Sequence, residues 1–206
     1  MAVESEYIRR LFDDFADHFE HTLVDELRYD TPAQLARLLR RLGADSAANV
    51  LDLGCGTGLM GQQLSQPGRV IDGVDLSPRM LERARAKQVY RNLHARELIE
   101  FLAETGSNWD LIVAADVFIY VPDPGAAFAS TYACLKPGGW FAFSIERSAN
   151  EDSDLMLQTG RYRQSPERMV RDLAAAGFFD VVQEPIVLRE EGGQPVAGVL
   201  IVARRP

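Results

Sequence analysis

The residues best suited to chemistry in this chain lie in and around a glycine-rich turn. The segment 50–58 reads Val-Leu-Asp-Leu-Gly-Cys-Gly-Thr-Gly, an apolar strand that carries one carboxylate, Asp52, followed by glycines at alternate positions. Because glycine has no Cβ and adopts positive φ without strain, the backbone N–H groups of such a turn approach a ligand closely. A carboxylate is costly in a buried strand unless a polar group meets it there. We therefore predict that Asp52 binds a ligand together with the turn residues Gly54, Cys55, Gly56 and Gly58.

Two classes of ligand compete for this turn. The glycines at 56, 58 and 61 satisfy the dinucleotide-binding fingerprint, and Asp75 follows about twenty residues later, where an acid that binds ribose is expected. A dinucleotide places its pyrophosphate over the N-terminus of the following helix. The carboxylate of Asp52 would repel that anion and would attract a ligand with cationic groups. The glycines alone leave both classes open, and the acid favours the cationic ligand.

Three later segments repeat the pattern of an apolar strand followed by an acid or a glycine turn. Residues 70–77 contain Asp75, residues 109–121 contain Asp116, and residues 135–145 begin Leu-Lys-Pro-Gly-Gly. In order and spacing, these segments and the glycine turn resemble the motifs of the class I S-adenosylmethionine-dependent methyltransferases. The resemblance covers residues 48–146 and continues to the C-terminal strands. It implies an enzyme that uses S-adenosylmethionine to methylate an acceptor, most plausibly a small molecule.

The resemblance also assigns cofactor roles to particular residues. It implies that the glycine turn lies under the methionine part of S-adenosylmethionine and that Asp52 helps to hold the ammonium. It implies that Asp75 accepts hydrogen bonds from both ribose hydroxyls, a task that suits an acceptor-only carboxylate. At the adenine the family usually has an aspartate where this chain has Glu97. The residues expected to contact the cofactor beyond the glycine turn are Asp75, Leu76, Met80, Glu97, Leu98, Ala115 and Asp116.

Methyl transfer from S-adenosylmethionine does not require a reactive side chain of the protein. Methyl transfer from a sulfonium is an in-line displacement, so the main task is to position the acceptor and exclude water. A base is needed only where the acceptor loses a proton, and no catalytic residue is assigned. Two alternative functions remain. The first is a domain that binds S-adenosylmethionine without transferring its methyl group, and the less favoured second is an NAD-binding oxidoreductase. The residues expected to contact the acceptor are Tyr7, Phe12, Phe15, His18, Tyr120, Arg161, Tyr162 and Arg163.

The elements that must position these residues follow from the apolar pattern. Strand-length apolar segments occur at 49–53, 70–75, 109–115, 139–146, 180–188 and 196–203, with a weaker one at 91–95. Their alternation with helices predicts βαβ units and a sheet covered on both faces, and a turn at 190–195 predicts a final hairpin. We expect an α/β, Rossmann-like seven-stranded mixed sheet whose last strand is antiparallel. We expect one domain over residues 1–206, with an N-terminal helical lid at 1–45 and the core at 46–206.

Cap residues followed by proline mark four expected helix starts. These pairs are Thr31-Pro32, Ser77-Pro78, Asp123-Pro124 and Ser165-Pro166, and Gln34 would complete a capping box with Thr31. The first helix shows an aromatic-rich face at helical spacing, from Ile8 to Phe19. This face predicts either a roof over the active site or an ordinary amphipathic helix packed elsewhere on the core.

Composition favours a cytoplasmic domain with neither nucleic-acid nor membrane partners. The formal net charge of −8 argues against a protein that binds nucleic acid through its phosphates. No apolar run approaches membrane-spanning length, and the N-terminus is charged rather than signal-like. Cys55 and Cys134 show no spacing typical of a metal site or a disulfide framework, so a reducing compartment and no metal are expected.

Two segments suggest a closer resemblance within the superfamily. The stretch from Tyr7 to Phe19 and the stretch 160–165 look like the methyltransferase domain that is attached to tetratricopeptide repeats in bacteria. Nearby animal relatives would be the Williams–Beuren-region methyltransferase-like proteins. Because this sequence contains no such repeat, a partner bound through the repeats does not carry over.

Overall fold

Strands and helices alternate along the chain, as the apolar periodicity predicts. This computed structural model describes residues 2–106, 108–150, 154–156 and 160–206. The strands are β1 (Asn49–Leu53), β2 (Val70–Asp75), β3 (Asn92–Ala95), β4 (Trp109–Ala114), β5 (Leu135–Glu146), β6 (Asp154–Met156), β7 (Arg161–Arg163), β8 (Phe179–Glu191) and β9 (Gln194–Arg204). The α-helices are α1 (Ala2–Phe15), α2 (Thr31–Arg41), α3 (Leu59–Leu64), α4 (Pro78–Ala86), α5 (Leu98–Glu104), α6 (Gly125–Cys134) and α7 (Pro166–Ala175). A π-helical turn spans His21–Glu26, and short 3-10 turns span Ala44–Ser46 and Phe118–Tyr120.

The central sheet has seven strands in the order β3-β2-β1-β4-β5-β9-β8. Strands β1 to β5 are mutually parallel, whereas β9 runs antiparallel to both β5 and β8. The predicted Rossmann-like mixed sheet with a reversed last strand is therefore confirmed. Chain order reverses between β1 and β4, and ligands of open α/β sheets bind outside the carboxyl ends of the strands at such a point. Asp52 lies near the end of β1, and Ala115 directly follows β4.

Two apolar layers fix the helices on the sheet. On one face, Leu51 and Leu53 belong to a buried cluster with Phe118 and other aromatic side chains. On the other face, Val50 packs with α2 and α3. Because successive side chains of a strand point to opposite faces, Asp52 shares the face of Val50. The carboxylate is therefore placed under α2 and α3, within an otherwise apolar layer.

The N-terminal segment is less regular than its apolar pattern predicts. Helix α1 ends at Phe15, so Phe19 lies beyond it, after a turn at Ala16–His18. The π-helical turn follows, and Arg28 then adopts a left-handed conformation with φ 53°. A non-glycine residue in this region is uncommon and costs free energy. These two breaks bend the segment so that Phe19 and Tyr29 both reach the pocket described below.

Helices begin within one residue of all four predicted starts, and two of the predicted side-chain caps form. The hydroxyls of Ser77 and Ser165 accept the backbone N–H groups of Met80 and Arg168, at 3.1 and 3.2 Å. Helix α6 instead starts at Gly125, one residue after Pro124.

The predicted capping box at α2 does not form. Thr31 donates its hydroxyl to the carbonyl of Leu188 at 3.3 Å, and the Gln34 amide donates to that of Val187 at 3.2 Å. These carbonyls belong to β8, the edge strand of the sheet. The side chains that would have capped α2 therefore fasten that helix to β8.

The segment between β5 and α7, an insertion that carries the predicted acceptor residues Arg161 and Arg163, contains the antiparallel pair β6–β7. It lies beside the carboxyl end of β5, where Arg147 pairs with Gln164. The Gln164 amide also donates to the carbonyl of Val121 at 2.8 Å. The insertion is thus tied to the loop after β4 and places Arg161 and Arg163 near the site.

Candidate functional site

The glycine turn keeps one side open to a ligand. Gly54, Gly56 and Gly58 all have positive φ, at 61°, 53° and 92°. A Cβ added at Gly54 would lie 2.5 Å from Val117, whereas a Cβ at Gly56 would meet nothing within 4 Å. Gly54 is therefore required by the protein's own packing, and the space beside Gly56 is available to a ligand. The backbone N–H of Cys55 is bound to the carbonyl of Val74 at 3.0 Å, which ties the turn to β2.

Asp52 is an almost fully buried carboxylate, with 1% of its surface exposed. Its Oδ2 accepts a hydrogen bond of 2.6 Å from the hydroxyl of Tyr90. Burial raises the pKa of Asp52 to about 7, an effect that the Tyr90 hydrogen bond opposes and the charge of Asp75 reinforces. Near neutral pH this group lies between its charged and uncharged forms, so a cationic ligand would draw it into the charged form.

Asp75 is held at the end of β2 by backbone amides. Its two oxygens accept the N–H groups of Gly56 and Ser77, each at 2.8 Å. Burial raises the pKa of Asp75, and these two hydrogen bonds oppose the shift. Each carboxylate oxygen has a second lone pair, so the same group retains acceptor capacity for the ribose hydroxyls that the sequence predicts as its partners.

A small pocket separates the glycine turn from the N-terminal segment. Its volume is about 50 Å³. Pockets that take drug-sized ligands measure roughly 300–1,000 Å³, so the roof must move before a nucleoside-sized ligand can enter. Thr57, which is 1% exposed, also lines this pocket, and its hydroxyl oxygen has no hydrogen-bond partner among the described residues. The lining residues are Phe19, Tyr29, Pro32, Asp52, Gly54, Cys55, Gly56, Thr57, Leu59, Met60 and Ala115.

The residues predicted to surround adenine lie at the carboxyl ends of β2 and β3. Leu76 and Leu98 are half-buried, whereas Met80 is 1% exposed and packs into the core. Glu97 caps α5, because one of its carboxylate oxygens accepts the N–H groups of Ile99 and Glu100 at 2.8 and 2.9 Å. Contact of these four side chains with adenine stays a prediction.

Asp116 occupies a strained position directly after β4. Its φ is 56°, and its backbone N–H donates to the hydroxyl of Ser144 at 2.8 Å. The same hydroxyl donates back to the Asp116 carboxylate at 2.6 Å. Burial raises the pKa of Asp116, while Ser144, Arg189 and Tyr29 oppose the shift. Strain of this kind concentrates at functional sites, where the surrounding structure holds it in place.

Behind Asp116 lies a buried cluster of paired charges. Arg189 and Glu146 are each 4% exposed in their side chains and bind one another at 2.7 Å. Arg163 also binds Glu146, at 3.0 Å, and Arg161 binds Glu191. The arginines predicted to contact the acceptor, Arg161 and Arg163, are thus paired with acids of the chain itself. Tyr162, predicted beside them, lies opposite Leu155 in the β6–β7 pair.

The remaining predicted acceptor residues divide into two groups. Phe12 and Tyr120 meet edge to face with centroids 5.4 Å apart, and Phe15 packs similarly on Phe19 at 5.6 Å. Tyr7, by contrast, is 64% exposed, and His18 is exposed as well. Because α1 ends at Phe15, the turn that follows points His18 to solvent. The structure brings Phe12 and Tyr120 together and leaves Tyr7 and His18 exposed to solvent.

Ion pairs hold the N-terminal segment on α4. Asp17 binds Arg79 and Arg83, and Glu20 binds Lys87 at 2.8 Å. We call these five residues the α1–α4 ladder. One turn earlier, Asp13 accepts the hydroxyl of Ser77 at 2.6 Å. The contacts recur at helical spacing and keep Phe19 over the pocket.

Several functional candidates escape the sequence analysis. Tyr90 and Tyr29 reach the site from segments with no motif, and Arg189 comes from the long edge strand β8. Their roles depend on contacts between residues far apart in the chain, which no local pattern reveals. Thr57 is different, because its position between Gly56 and Gly58 would have been enough to identify it from the sequence as a pocket residue.

Some kinds of site find no support in the described part of the chain. No group of three His, Cys, Asp or Glu residues there could hold a metal ion. Across the same residues, no helix is long and apolar enough to cross a membrane.

Comparison with known proteins identifies related sequences. The sequence profile of the family described as a methyltransferase domain matches residues 27–178. The ubiquinone biosynthesis O-methyltransferase of Bordetella avium (strain 197N) is 31% identical over 120 residues, which are 55% of this chain and 48% of that protein. The enzyme of the same name from Coxiella burnetii (strain RSA 493 / Nine Mile phase I) is 34% identical over 99 residues, 47% and 42% of the two chains. The chain thus spans about half the length of these curated relatives or less.

Comparison of folds extends over nearly the whole chain. The magnesium protoporphyrin IX methyltransferase of Synechocystis PCC 6803, solved with bound SAH, superimposes with a TM-score of 0.76 at 17% identity. The match covers 98% of this chain and 100% of that one. At this identity the likeness is one of fold.

Proposed function

Since this chain belongs to the methyltransferase domain family, we propose that it binds S-adenosylmethionine at the glycine turn and transfers the methyl group to a small-molecule acceptor. The observation that carries the proposal is the buried carboxylate of Asp52 beside a turn whose Gly56 faces open space. A carboxylate there attracts the ammonium of S-adenosylmethionine and repels a pyrophosphate.

The residues of the pocket fit the proposed cofactor. In the pocket, Asp52 suits the ammonium and the orphaned hydroxyl of Thr57 suits a polar group of the methionine part. Asp75, which accepts the N–H of the pocket residue Gly56, suits the ribose. Leu76, Met80, Glu97 and Leu98 are proposed for adenine, and the backbone at Ala115 and Asp116 for the methionine part. When bound, the cofactor supplies an electrophilic methyl group. The chain itself orients the acceptor and excludes water through the roof of Phe19 and Tyr29.

The acceptor side is built to receive a hydrogen-bond donor. Asp116 is held by Ser144 beside Tyr29, and both Asp116 and Tyr29 are half-buried. Arg161, Arg163 and Arg189 are already paired with acids, which argues for an uncharged group at this position. We therefore infer that the acceptor atom is a hydroxyl or amino group and that Asp116 accepts its proton.

The nicotinamide alternative conflicts with the charge beside the glycine turn. A dinucleotide would bring its pyrophosphate to this turn, where the buried carboxylate of Asp52 would repel it. A non-catalytic S-adenosylmethionine-binding domain remains the competing function, because the same pocket would serve both.

Finer assignments extend the proposal. On sequence grounds we also propose a closer relationship to the methyltransferase domains linked to tetratricopeptide repeats. We propose a single domain over 1–206 with its lid at 1–45, and a cytoplasmic location. The net charge of −8 supports a small-molecule acceptor over nucleic acid.

Titration calorimetry with S-adenosylmethionine, S-adenosylhomocysteine and NADH tests the cofactor. We expect both adenosyl compounds to bind, and binding of NADH alone would overturn the proposal. Incubation of metabolite extract with methyl-labelled S-adenosylmethionine then separates the enzyme from the binding domain. Transfer of label to an extract compound supports the enzyme, and tight binding with no transfer over broad acceptor coverage supports the binding domain.

A further inference from the structure

Tyr90 is wedged into a slot made by three glycines. It lies in the loop before β3, and an added Cβ at Gly61 would lie 2.4 Å from its side chain. The corresponding distances at Gly58 and Gly73 are 3.0 and 3.1 Å. Two of these glycines flank the start of α3 and one lies in β2, so the slot is built from separate elements. The fit fixes the ring and therefore the position of its hydroxyl.

The hydroxyl of Tyr90 donates a hydrogen bond to Oδ2 of Asp52 at 2.6 Å. Asp52 lines the pocket together with the glycine turn. The Tyr90 bond to Oδ2 restricts rotation of the carboxylate, which also accepts the backbone N–H of Gly61. Burial and the neighbouring Asp52 charge keep the pKa of Tyr90 well above its usual value, so the tyrosine stays a neutral donor.

We propose that Tyr90 is a positioning residue of the cofactor site, which orients the Asp52 carboxylate and stabilises its ionised form for the ammonium group of the ligand. The inference rests on the proposed function. A lysine or arginine at this position would also hold the carboxylate, but its charge would repel the ammonium. A neutral hydroxyl stabilises the negative charge without that repulsion. The burial of Asp52, 1% exposed, makes such a donor necessary, because water does not reach the group.

Tyr90→Phe is the test variant, because phenylalanine keeps the ring in the glycine slot and removes only the hydroxyl. We expect S-adenosylhomocysteine to bind at least about tenfold more weakly at pH 7, since a hydrogen bond to a charged group is lost. Binding of 5′-methylthioadenosine, which lacks the ammonium, should change less than about twofold. The matched control is Tyr132→Phe, whose ring packs on Phe178 away from the pocket, and it should change neither affinity.

A second measurement uses the protein without ligand. Carbon-13 NMR of labelled aspartate carboxyls follows the titration of Asp52, with Asp52→Asn identifying its signal. We expect Tyr90→Phe to move the Asp52 midpoint upward from about 7.

Equal loss of both ligands in Tyr90→Phe would indicate a general packing defect and overturn the inference, as would an unchanged midpoint in a folded variant. Failure of the wild-type protein to bind either adenosyl compound would instead refute the proposed function. The carboxyl titration would still decide whether Tyr90 controls Asp52.

Discussion

At the scale of single residues, the candidate site contains three carboxylates, and burial raises the pKa of each of them. These carboxylates belong to Asp52, Asp75 and Asp116. Each is met by a neutral donor: the hydroxyl of Tyr90, backbone amides, or the hydroxyl of Ser144. Among the described residues, Asp52 and Asp75 thus accept hydrogen bonds from neutral donors and have no cation in direct contact. A ligand with positively charged groups would provide that cation.

The affinity for S-adenosylmethionine should depend on pH through Asp52. We expect affinity to rise as pH increases through about 7, because the carboxyl must lose its proton to pair with the ammonium. Binding at pH 7 should therefore release about half a proton from this group. Calorimetry in buffers of different ionisation enthalpy measures that release, and Asp52→Asn should abolish it. Pure adenosine binding, which needs no ammonium contact, serves as the control.

The raised pKa of Asp52 also makes the stability of the ligand-free protein depend on pH. The pKa of Asp52 is about 7 when folded and 3.8 in the reference state, so between these values the folded protein holds a proton that the unfolded chain has lost. The Asp52 contribution to stability is therefore largest below about pH 4 and declines as pH rises to about 7. Asp52→Asn should flatten this part of the profile of unfolding free energy against pH. An identical slope in both proteins would show that Asp52 does not titrate in this range.

Asp116→Asn separates transfer from cofactor binding. Asparagine keeps the size and one acceptor oxygen but does not take up the acceptor's proton. We expect the transfer rate to fall about 10²- to 10⁴-fold, the usual contribution of a general base, with cofactor affinity changed less than about threefold. Single-turnover kinetics with labelled cofactor and calorimetry give the two quantities, once an acceptor is found. A variant with full transfer rate would remove Asp116 as the base.

At the scale of elements, tertiary contacts decide where local patterns fail. Thr31 and Gln34 have the spacing of a capping box, yet both side chains bind carbonyls of β8. Arg161 and Arg163 are predicted to contact the acceptor, yet they pair with Glu191 and Glu146 of the chain itself. In each case the winning partner is distant in sequence, so no window around the residue reveals it. Ser77 and Ser165 form their predicted caps, and their partners lie three residues away.

The α1–α4 ladder should control how long the cofactor stays bound. Its pairs are largely exposed, so each contributes weakly and is screened by salt, but together they hold the segment that follows α1 on α4. We expect Asp17→Arg to speed dissociation of S-adenosylhomocysteine about threefold or more. Adding Arg83→Asp to the same chain reverses the Asp17–Arg83 pair and should bring the dissociation rate most of the way back to that of the original protein. Stopped-flow displacement gives the rates.

Glu104→Arg is the matched control for the ladder, since it breaks an exposed pair with Arg96 outside the site. It should leave dissociation unchanged. Equal acceleration by both reversals would assign the effect to net charge, and no acceleration by Asp17→Arg would show that the ladder does not retain the roof.

At the scale of the whole molecule, the sheet was predictable and the roof was not. Apolar segments locate the strands of the central sheet within a few residues, because burial on both faces demands continuous apolar runs. The glycine turn and the acids after β1, β2 and β4 follow from the same pattern. The pair β6–β7 escapes prediction because its three-residue strands are polar at Arg161 and Arg163. The roof depends on the bends at Ala16–His18 and Arg28, which apolar spacing does not encode.

The last expectation concerns the N-terminal segment as a movable lid. The pocket below it has about 50 Å³, so S-adenosylhomocysteine enters only when Phe19 and Tyr29 move away, and it is enclosed again when they return. Deleting residues 1–20 should weaken binding of this ligand by about tenfold or more, because the roof contacts and excluded water are lost. The sheet should keep its circular dichroism spectrum, since the matched family profile starts at residue 27.

Hydrogen exchange in the full chain tests the same lid without removing it. Saturating S-adenosylhomocysteine should slow exchange in residues 5–20, where α1 and the turn after it carry the roof, more than in α7 on the opposite face of the sheet. The exposed pairs of the ladder and the strained Arg28 make this segment the part of the site that opens most readily. If ligand protected the glycine turn but left residues 5–20 unchanged, and the truncated protein bound as tightly as the full chain, α1 would be an ordinary amphipathic helix and the cofactor would enter by another route.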